Sequence, residues 1–244
     1  MTFDIQLRLL ITCVALFGLG SLACLPLYRW SLRAFLKSRL WVKVYWWWPI
    51  FTVFCLAAWF PYLSVLVAGL VIFQATRECR SFGKRSNVAW YYCLMFAASM
   101  CCLPLLIVAA PNATDLVLVL STICFASAIS DIFAFFAGNY LGRHQLPAMF
   151  NARKSWEGVA GQLIGALVGG LLVGIVLDSD LSLWLSVAVG FASAVGDLTN
   201  SYVKRRLGIK DWGETIPGHG GVLDRFASLS FAFAAGLVFV LLTA

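Results

Sequence analysis

The sequence predicts an all-α fold, a polytopic integral membrane protein with about eight transmembrane helices, within a range of about seven to nine. Hydrophobic residues make up 61% of the chain and charged residues 12%, whereas a soluble domain is about one quarter charged. Several apolar runs reach the length of about 20 residues that crosses a bilayer. The basic residues cluster in the segments between these runs. The spans leave no room for a separate soluble domain.

Each predicted span follows an apolar run. The continuous run from 44 to 76 is too long for one span, and Pro61 lies near its middle. Because proline interrupts a helix interior, we expect two short helices joined by a tight turn there. The first run is too long for an ordinary cleaved signal peptide and is expected to remain as a helix. The predicted spans are residues 9–28, 44–60, 61–76, 88–110, 115–138, 158–177, 181–201 and 226–243.

The distribution of Lys and Arg orients these spans. All of these residues except Arg8 lie in four segments, and eight spans place the four segments on the same side of the membrane. Since Lys and Arg concentrate in cytoplasmic loops, we expect both termini outside and the four segments in the cytoplasm, at a cell inner membrane or an equivalent. The net charge of +7 then follows from topology and anionic lipid, so no nucleic-acid partner is expected. The basic segments are residues 29–43, 77–85, 141–157 and 202–225.

The character of the chain changes near residue 110. Residues 1–110 hold most of the tryptophans and carry no acidic residue inside a predicted span. We expect these N-terminal helices to serve packing and lipid contact, because aromatic residues near span ends anchor helices at the interface. Residues 111–244 are expected to form the region of the membrane bundle that carries the chemistry.

Two carboxylates of the second half lie at membrane depth. Asp131 and Asp197 each fall within an apolar run, where a charge costs about 2.5–3.5 kcal/mol on insertion scales. A helix–helix hydrogen bond, or a position near a helix end, would also account for such a residue. Asp197, Ser201 and Lys204 recur at helical spacing, so one helix face would present a carboxylate, a hydroxyl and an ammonium group toward the cytoplasm.

Charge and glycine are concentrated in residues 201–225. Glycines around His219 would let backbone N–H groups approach phosphate oxygens, and Asp211 and Asp224 supply carboxylates on either side. This combination suits a nucleotide held through Mg²⁺, which prefers oxygen ligands shared with phosphates. A solvated basic loop is the alternative for the cations alone, and a loop-stabilising hydrogen bond is the alternative for His219. The cations are Lys204, Arg205, Arg206, Lys210 and Arg225, and the glycines are Gly218, Gly220 and Gly221.

A second polar segment, residues 151–158, precedes a glycine-rich span. Lys154 is well placed for an anionic headgroup. Ser155 is a candidate substrate contact, and its alternative role is that of a helix N-cap with Glu157 in the first turn. The chain contains no GxxxxGK[ST] loop, GxGxxG fingerprint or HExxH pair, and with only two histidines a histidine-based metal site is not expected.

The run S-Y-V-K-R-x₄-K-D-W-G-x₂-I-P-G-H-G-G-V-L-D-R-F, from Ser201 to Phe226, closely resembles the signature of the phosphatidate cytidylyltransferases, or CDP-diglyceride synthases. DIFAFFAG, which starts at Asp131, resembles the family's DTGAYFFG-like segment. NARKSWEG, residues 151–158, resembles its SPKKTWEG segment. The resemblance is strong over residues 115–228 and covers the first half only as a general multi-span pattern.

The resemblance implies a membrane transferase that joins CTP and phosphatidic acid to give CDP-diacylglycerol and pyrophosphate. It implies that Asp197 and Asp224 bind a catalytic divalent metal, expected to be Mg²⁺, that K⁺ also takes part, and that the chain forms a homodimer among membrane lipids. The expected catalytic positions are Lys204, Arg205, Lys210, Asp211, His219 and Arg225, and the expected substrate-binding positions are Asp131, Lys154, Ser155, Ser201, Gly220 and Gly221.

The sequence departs from the family pattern at two places. Ala227 stands where the pattern DRxD ends in a carboxylate, and Asn151 and Ala152 replace Ser-Pro. Either change is compatible with another lipid acceptor, such as an ether or isoprenoid phosphate, with CTP-dependent phosphorylation of a lipid alcohol, or with a weakened paralogue. Because Asp197 and Asp224 are both present, an active enzyme is favoured. A transporter would show an inverted repeat with broken helices in both halves, and the sequence has no such symmetry.

Overall fold

The fold class predicted from the sequence is confirmed by the computed structural model of the chain. All regular secondary structure in the described part of the chain is helical, apart from two isolated β-bridges. The structure describes residues 2–23, 29–38, 41–42, 45, 60–83, 86–110, 112–150, 154–216 and 220–243. The helices whose bounds fall within these residues are α1 (Thr2–Ala23), α2 (Leu32–Leu36), α3 (Pro61–Gly83), α4 (Asn87–Ala109), α5 (Ala113–Tyr140), α6 (Trp156–Leu177), α7 (Leu181–Arg206) and α8 (Val222–Thr243).

Six helices of the described part, α3 to α8, are long and apolar enough to cross a membrane. They correspond to the last six predicted spans and establish a polytopic, all-α architecture. Helix α1 covers most of the span predicted at 9–28 and is described as far as Ala23. The span predicted at 44–60 lies outside the described residues, apart from Tyr45 and Phe60.

Polar side chains at the helix starts explain several of these boundaries. The Ser86 hydroxyl accepts a hydrogen bond from the backbone N–H of Val88 at 3.2 Å at the start of α4. The Asn112 side chain accepts one from Asp115 N–H at 2.9 Å at the start of α5. Such caps satisfy backbone donors that have no partner within the helix.

Helix α3 is longer than the span predicted at 61–76. It begins at Pro61, as predicted, and continues to Gly83. The charged residues after 76 are typical of a loop, but Glu78 is only 6% exposed inside the helix, because residues from much later in the chain cover its carboxylate. The expectation that no acidic residue lies inside a span of the first half is therefore wrong.

Helices α5 and α6 approach each other closely because glycines line one face of α6. Gly161, Gly165 and Gly169 recur every four residues and therefore share that face. A Cβ atom added at Gly165 would lie 2.7 Å from the carbonyl oxygen of Ile129 on α5. Without a hydrophobic driving force between helices in lipid, small residues of this kind bring backbones close enough to pack.

Substituting Gly165 by alanine is expected to destabilise the bundle by about 1–3 kcal/mol, because the added methyl group overpacks a tight contact. Its Cβ would lie 2.7 Å from Ile129 O and from the Cβ of Phe133. Thermal unfolding of the purified protein in detergent measures the effect. Gly69→Ala in α3 is the matched control, since nothing lies within 4 Å of its added Cβ. Equal melting temperatures for the two variants would contradict this account of α5–α6 packing.

A buried hydrophobic core joins α3, α4, α5, α7 and α8. Its largest fully buried members include Phe96, Met100, Leu106, Ile123 and Phe233. Because consecutive long helices run in opposite directions, the start of α6, the end of α7 and the start of α8 meet at one end of this bundle, together with the end of α3.

Candidate functional site

The predicted site residues that the structure describes gather at this end of the bundle. Asp197 and Lys204 lie on the last turns of α7, Asp224 lies on the first turn of α8, and Lys154 directly precedes α6. Between α7 and α8 the structure describes residues 207–216, 220 and 221, which contact the end of the bundle and are called the joining loop.

Asp224 is the most tightly held carboxylate of the site. Its Oδ1 accepts a hydrogen bond from Nζ of Lys204 at 2.6 Å. Its Oδ2 accepts from the backbone N–H groups of Trp212 at 2.8 Å and Gly221 at 3.0 Å. The Asp224 side chain is 3% exposed, and the three donors balance its charge and fix its direction. Asp224 thus connects α7, the joining loop and α8.

Asp197 forms the second carboxylate–lysine pair. Its Oδ2 makes an ion pair with Nζ of Lys154, which also donates to the Asp197 backbone carbonyl at 3.3 Å. The Asp197 side chain is 39% exposed, so this carboxylate is far more accessible than that of Asp224. Two residues that the sequence places 43 positions apart are joined here, which ties the start of α6 to α7.

Asp131 connects three helices. Its carboxylate accepts a hydrogen bond from Gln162 of α6 at 3.5 Å and from Ser228 of α8 at 3.4 Å. The alternative that the sequence offered, a helix–helix hydrogen bond, is therefore present in the structure. Gln162 and Ser228 were missed by sequence reasoning, although a glutamine in the glycine-rich run of α6 is a polar outlier that could have signalled them.

Trp212 anchors the joining loop to the bundle. Its indole Nε1 donates a hydrogen bond to Oδ1 of Asn200 at 2.8 Å, and only 2% of the residue is exposed. Its ring stacks on Tyr92 at a centroid distance of 5.5 Å and meets Phe82 edge-on at 5.7 Å. Because α3 and α4 supply Phe82 and Tyr92, the first half of the chain holds the loop of the second half.

The joining loop and the start of α8 also contact the carboxylate of Glu78. Sequence reasoning did not identify Glu78 as a residue of this region. Glu78 accepts hydrogen bonds from Thr215 Oγ1 at 2.7 Å, Val222 N–H at 2.8 Å and Leu223 N–H at 3.0 Å. Its position among the basic residues 77–85 is typical of a solvated loop, so the sequence carries no signal for this contact.

The two predicted glycines take part in the fold of the joining loop. Gly220 has a φ of +87°, a conformation that residues with a side chain rarely adopt, and its carbonyl accepts from Ile216 N–H at 2.9 Å. Gly221 donates its N–H to Asp224 rather than to solvent.

The remaining predicted site residues differ in accessibility. Ser155 and Ser201 are buried, and the Ser155 hydroxyl accepts from Gly158 N–H at 3.2 Å as the N-cap of α6. The capping role that the sequence offered as the alternative for Ser155 is therefore present. His219 lies outside the described residues. Four predicted catalytic residues are exposed at this end of the bundle: Arg205, Lys210, Asp211 and Arg225.

The oxygen donors of the site fit a magnesium ion. No cluster of three or more His, Cys, Asp or Glu suitable for a metal occurs among the described residues. Mg²⁺ does not require such a cluster, since it keeps several waters and is usually held by one or two carboxylates together with substrate phosphates. Asp197 and Asp224 each offer a carboxylate, a hard oxygen ligand, and each carboxylate is paired with a lysine.

Comparison with known proteins assigns the chain to a family. A model of the cytidylyltransferase family matches residues 5–243, nearly the whole chain. The chain belongs to the cytidylyltransferase family. The match includes α1 and the other helices of the first half, for which the sequence motifs alone gave only a general multi-span pattern.

Named relatives of this cytidylyltransferase family member come from plants and bacteria. It is 34% identical over 179 residues to the phosphatidate cytidylyltransferase of Brucella abortus, covering 70% of this chain and 62% of that protein. It is 44% identical over 114 residues to the enzyme of that name from Haemophilus influenzae, covering 42% of this chain and 38% of that protein. Phosphatidate cytidylyltransferase 4, chloroplastic, of Arabidopsis thaliana is 41% identical over 128 residues, covering 50% of this chain and 32% of that protein. The matches therefore span about one third to three fifths of these relatives' lengths.

Ala227, where this chain departs from the signature, lies at the contact between α7 and α8. The residue is 2% exposed, and its carbonyl oxygen would lie 2.6 Å from a Cβ atom added at Gly196. The small side chains at 196 and 227 suit the close approach of the two helices that carry Asp197 and Asp224.

Proposed function

We propose that the chain is an integral-membrane phosphatidate cytidylyltransferase, which transfers CMP from CTP to phosphatidic acid and releases pyrophosphate. The observation that carries the proposal is the pair of carboxylate–lysine contacts, Lys154–Asp197 and Lys204–Asp224, at one end of an apolar bundle. A lipid substrate would reach this end from the bilayer, and a water-soluble nucleotide would reach it from the adjoining aqueous phase. The printed names of the relatives support the same activity.

The reaction brings two anions together. A phosphate oxygen of phosphatidic acid attacks the α-phosphorus of CTP, the bond from this phosphorus to the bridging oxygen of the β-phosphate breaks, and pyrophosphate leaves. The chain's part is to hold both phosphates in line and to neutralise them, so no covalent enzyme intermediate is required. In this proposal Lys154 and Lys204 turn from their carboxylates toward substrate phosphates, and the exposed Arg205 and Arg225 add positive charge.

Asp197 and Asp224 would hold the catalytic Mg²⁺. When bound, the ion supplies charge neutralisation and orientation of the phosphate oxygens. A K⁺ ion and a homodimer remain expectations from the family. The four basic segments favour a cytoplasmic position for this end of the bundle, where CTP is available, in a cell inner membrane or an equivalent.

The proposal is tested with the purified full chain in detergent, given Mg²⁺, phosphatidic acid and CTP labelled either at the α- or at the γ-phosphorus. We expect the α-label, and not the γ-label, to enter a lipid product, and chelation of Mg²⁺ to stop the transfer. With diacylglycerol added as acceptor, transfer of the γ-label to it would instead identify a CTP-dependent lipid kinase. Ether and isoprenoid phosphates serve as alternative acceptors. No labelled lipid from any acceptor would refute the enzymatic function.

A further inference from the structure

The buried carboxylate of Glu78 lies in α3, far from the signature in sequence and in direct contact with it in the structure. The three hydrogen bonds that it accepts come from Thr215, Val222 and Leu223, all of the joining loop or the first turn of α8. A charge inside a span is unfavourable unless it is paired or hydrogen-bonded, and these three donors meet that requirement.

The start of α8 explains why a carboxylate is needed there. The first N–H groups of any helix lack partners within the helix, and a side chain at the N-cap usually accepts from them. Here Gly221 precedes the helix and has no side chain. Asp224 accepts from the N–H of Gly221, and Glu78 accepts from the N–H groups of Val222 and Leu223. The negative charge of Glu78 also lies at the positive end of the α8 dipole.

The joining loop is shaped to admit this side chain. A Cβ atom at Gly221 would lie 2.5 Å from Oε2 of Glu78, so the glycine leaves the space that the carboxylate fills. A Cβ atom at Gly213 would lie 3.6 Å from Cγ of Glu78. Gln74, one turn earlier on α3, donates to Thr215 Oγ1 at 2.9 Å and extends the contact. The loop therefore wraps a fixed carboxylate of another helix.

We infer that Glu78 is a positioning residue of the site: it fixes the start of α8 and thereby the direction of the Asp224 carboxylate. Asp224 follows Leu223 directly, and the Gly221 N–H that it binds belongs to the same turn that Glu78 holds. In this role Glu78 acts through Asp224 and not by a contact of its own with substrate. The expected effect of Glu78 on kcat rests on the proposed function. The expected effect of Glu78 on the joining loop can be measured without any reaction.

The variant Glu78→Gln tests this role with little change of shape. We expect kcat to fall about tenfold or more while the KM for CTP changes by less than about threefold, because a misdirected Asp224 weakens interactions made in the transition state. Hydrogen exchange of peptides covering residues 212–224 should become faster. Glu214→Gln is the matched control, because Glu214 belongs to the same loop and is exposed, and it should retain wild-type values.

A second variant covers the case in which Glu78→Gln folds poorly. Thr215→Val removes one donor to Glu78 and leaves the carboxylate in place, so we expect a smaller fall in kcat, about threefold, in the same direction. Wild-type kcat in both variants, or unchanged exchange of residues 212–224 in Glu78→Gln, would overturn the inference. If the wild type makes no CDP-lipid, the proposed function fails, and the exchange measurement alone then decides the role of Glu78.

Discussion

Replacing Asp224 by asparagine is expected to lower kcat on the order of a thousandfold while the helices stay folded. The carboxylate accepts hydrogen bonds from Lys204, Trp212 and Gly221. Asparagine has nearly the same shape but no charge, and its amide nitrogen is a donor that would face one of these three donors. The charge that balances Lys204, and that we propose to hold Mg²⁺, would be lost. Initial rates with CTP and phosphatidic acid measure the change.

Asp180→Asn is the matched control for this variant. Asp180 precedes α7 at the other end of the bundle, is exposed, and makes no capping hydrogen bond with its side chain. Far-UV circular dichroism checks that both variants remain helical, and Asp224→Glu, which keeps the charge, replaces the asparagine variant if that protein is unstable. An Asp224→Asn enzyme within about tenfold of the wild-type kcat would remove Asp224 from the proposed metal site.

The second large effect is expected at Asp197. Asp197→Asn should abolish measurable turnover and leave the melting temperature nearly unchanged, because a pair with 39% exposure of its carboxylate contributes about 0–1 kcal/mol to stability. The two aspartates therefore differ in their expected structural effects, since Asp224 is buried and Asp197 is not. Turnover at several Mg²⁺ concentrations and thermal unfolding measure the two effects separately.

A double-mutant cycle distinguishes two roles for Asp197. If the carboxylate only orients Lys154, then Asp197→Asn and Lys154→Gln should reduce kcat equally, and the double variant should be no slower than either. If Asp197 holds Mg²⁺, its substitution should have the larger effect, and the double variant should be slower than Lys154→Gln alone. Full activity of Asp197→Asn with an unchanged dependence on Mg²⁺ concentration would exclude both roles.

The spans of the second half could be predicted from the sequence because each apolar run is bounded by charged or turn-forming residues. The end of α3 could not. The hydropathy of the sequence falls at Arg77. Whether charged residues after that point form a helix or a loop depends on which other parts of the chain bury them. At Glu78 the cover is supplied by Val222 and Leu223, which follow about 145 positions later. Local periodicity contains no information about such a contact.

Site residues could be predicted from the sequence where a side chain is of an unusual type for the segment around it. Asp197 and Asp131 stand out because carboxylates are rare in apolar runs. The partners of these residues were less predictable, since Gln162 and Ser228 lie on other helices and Lys154 lies just before α6. The functional roles assigned to all of these positions stay predictions until the variants are measured.

The role of Trp212 could not be predicted from the sequence either. It belongs to the run that resembles the family signature, yet nothing in the sequence distinguishes an aromatic residue that contacts a nucleotide from one that anchors a loop. Its burial, its stack on Tyr92 and its hydrogen bond to Asn200 identify an anchor.

The anchors of the joining loop also bear on how the protein is made. Glu78, Phe82 and Tyr92 leave the ribosome well before Trp212 and Thr215, and chains fold from the N-terminal end during synthesis. The surface that receives the loop can therefore be assembled in the membrane before the loop itself is translated. A fragment begun at residue 111 would carry the whole signature but lack the three side chains of the first half, Glu78, Phe82 and Tyr92, that hold the joining loop.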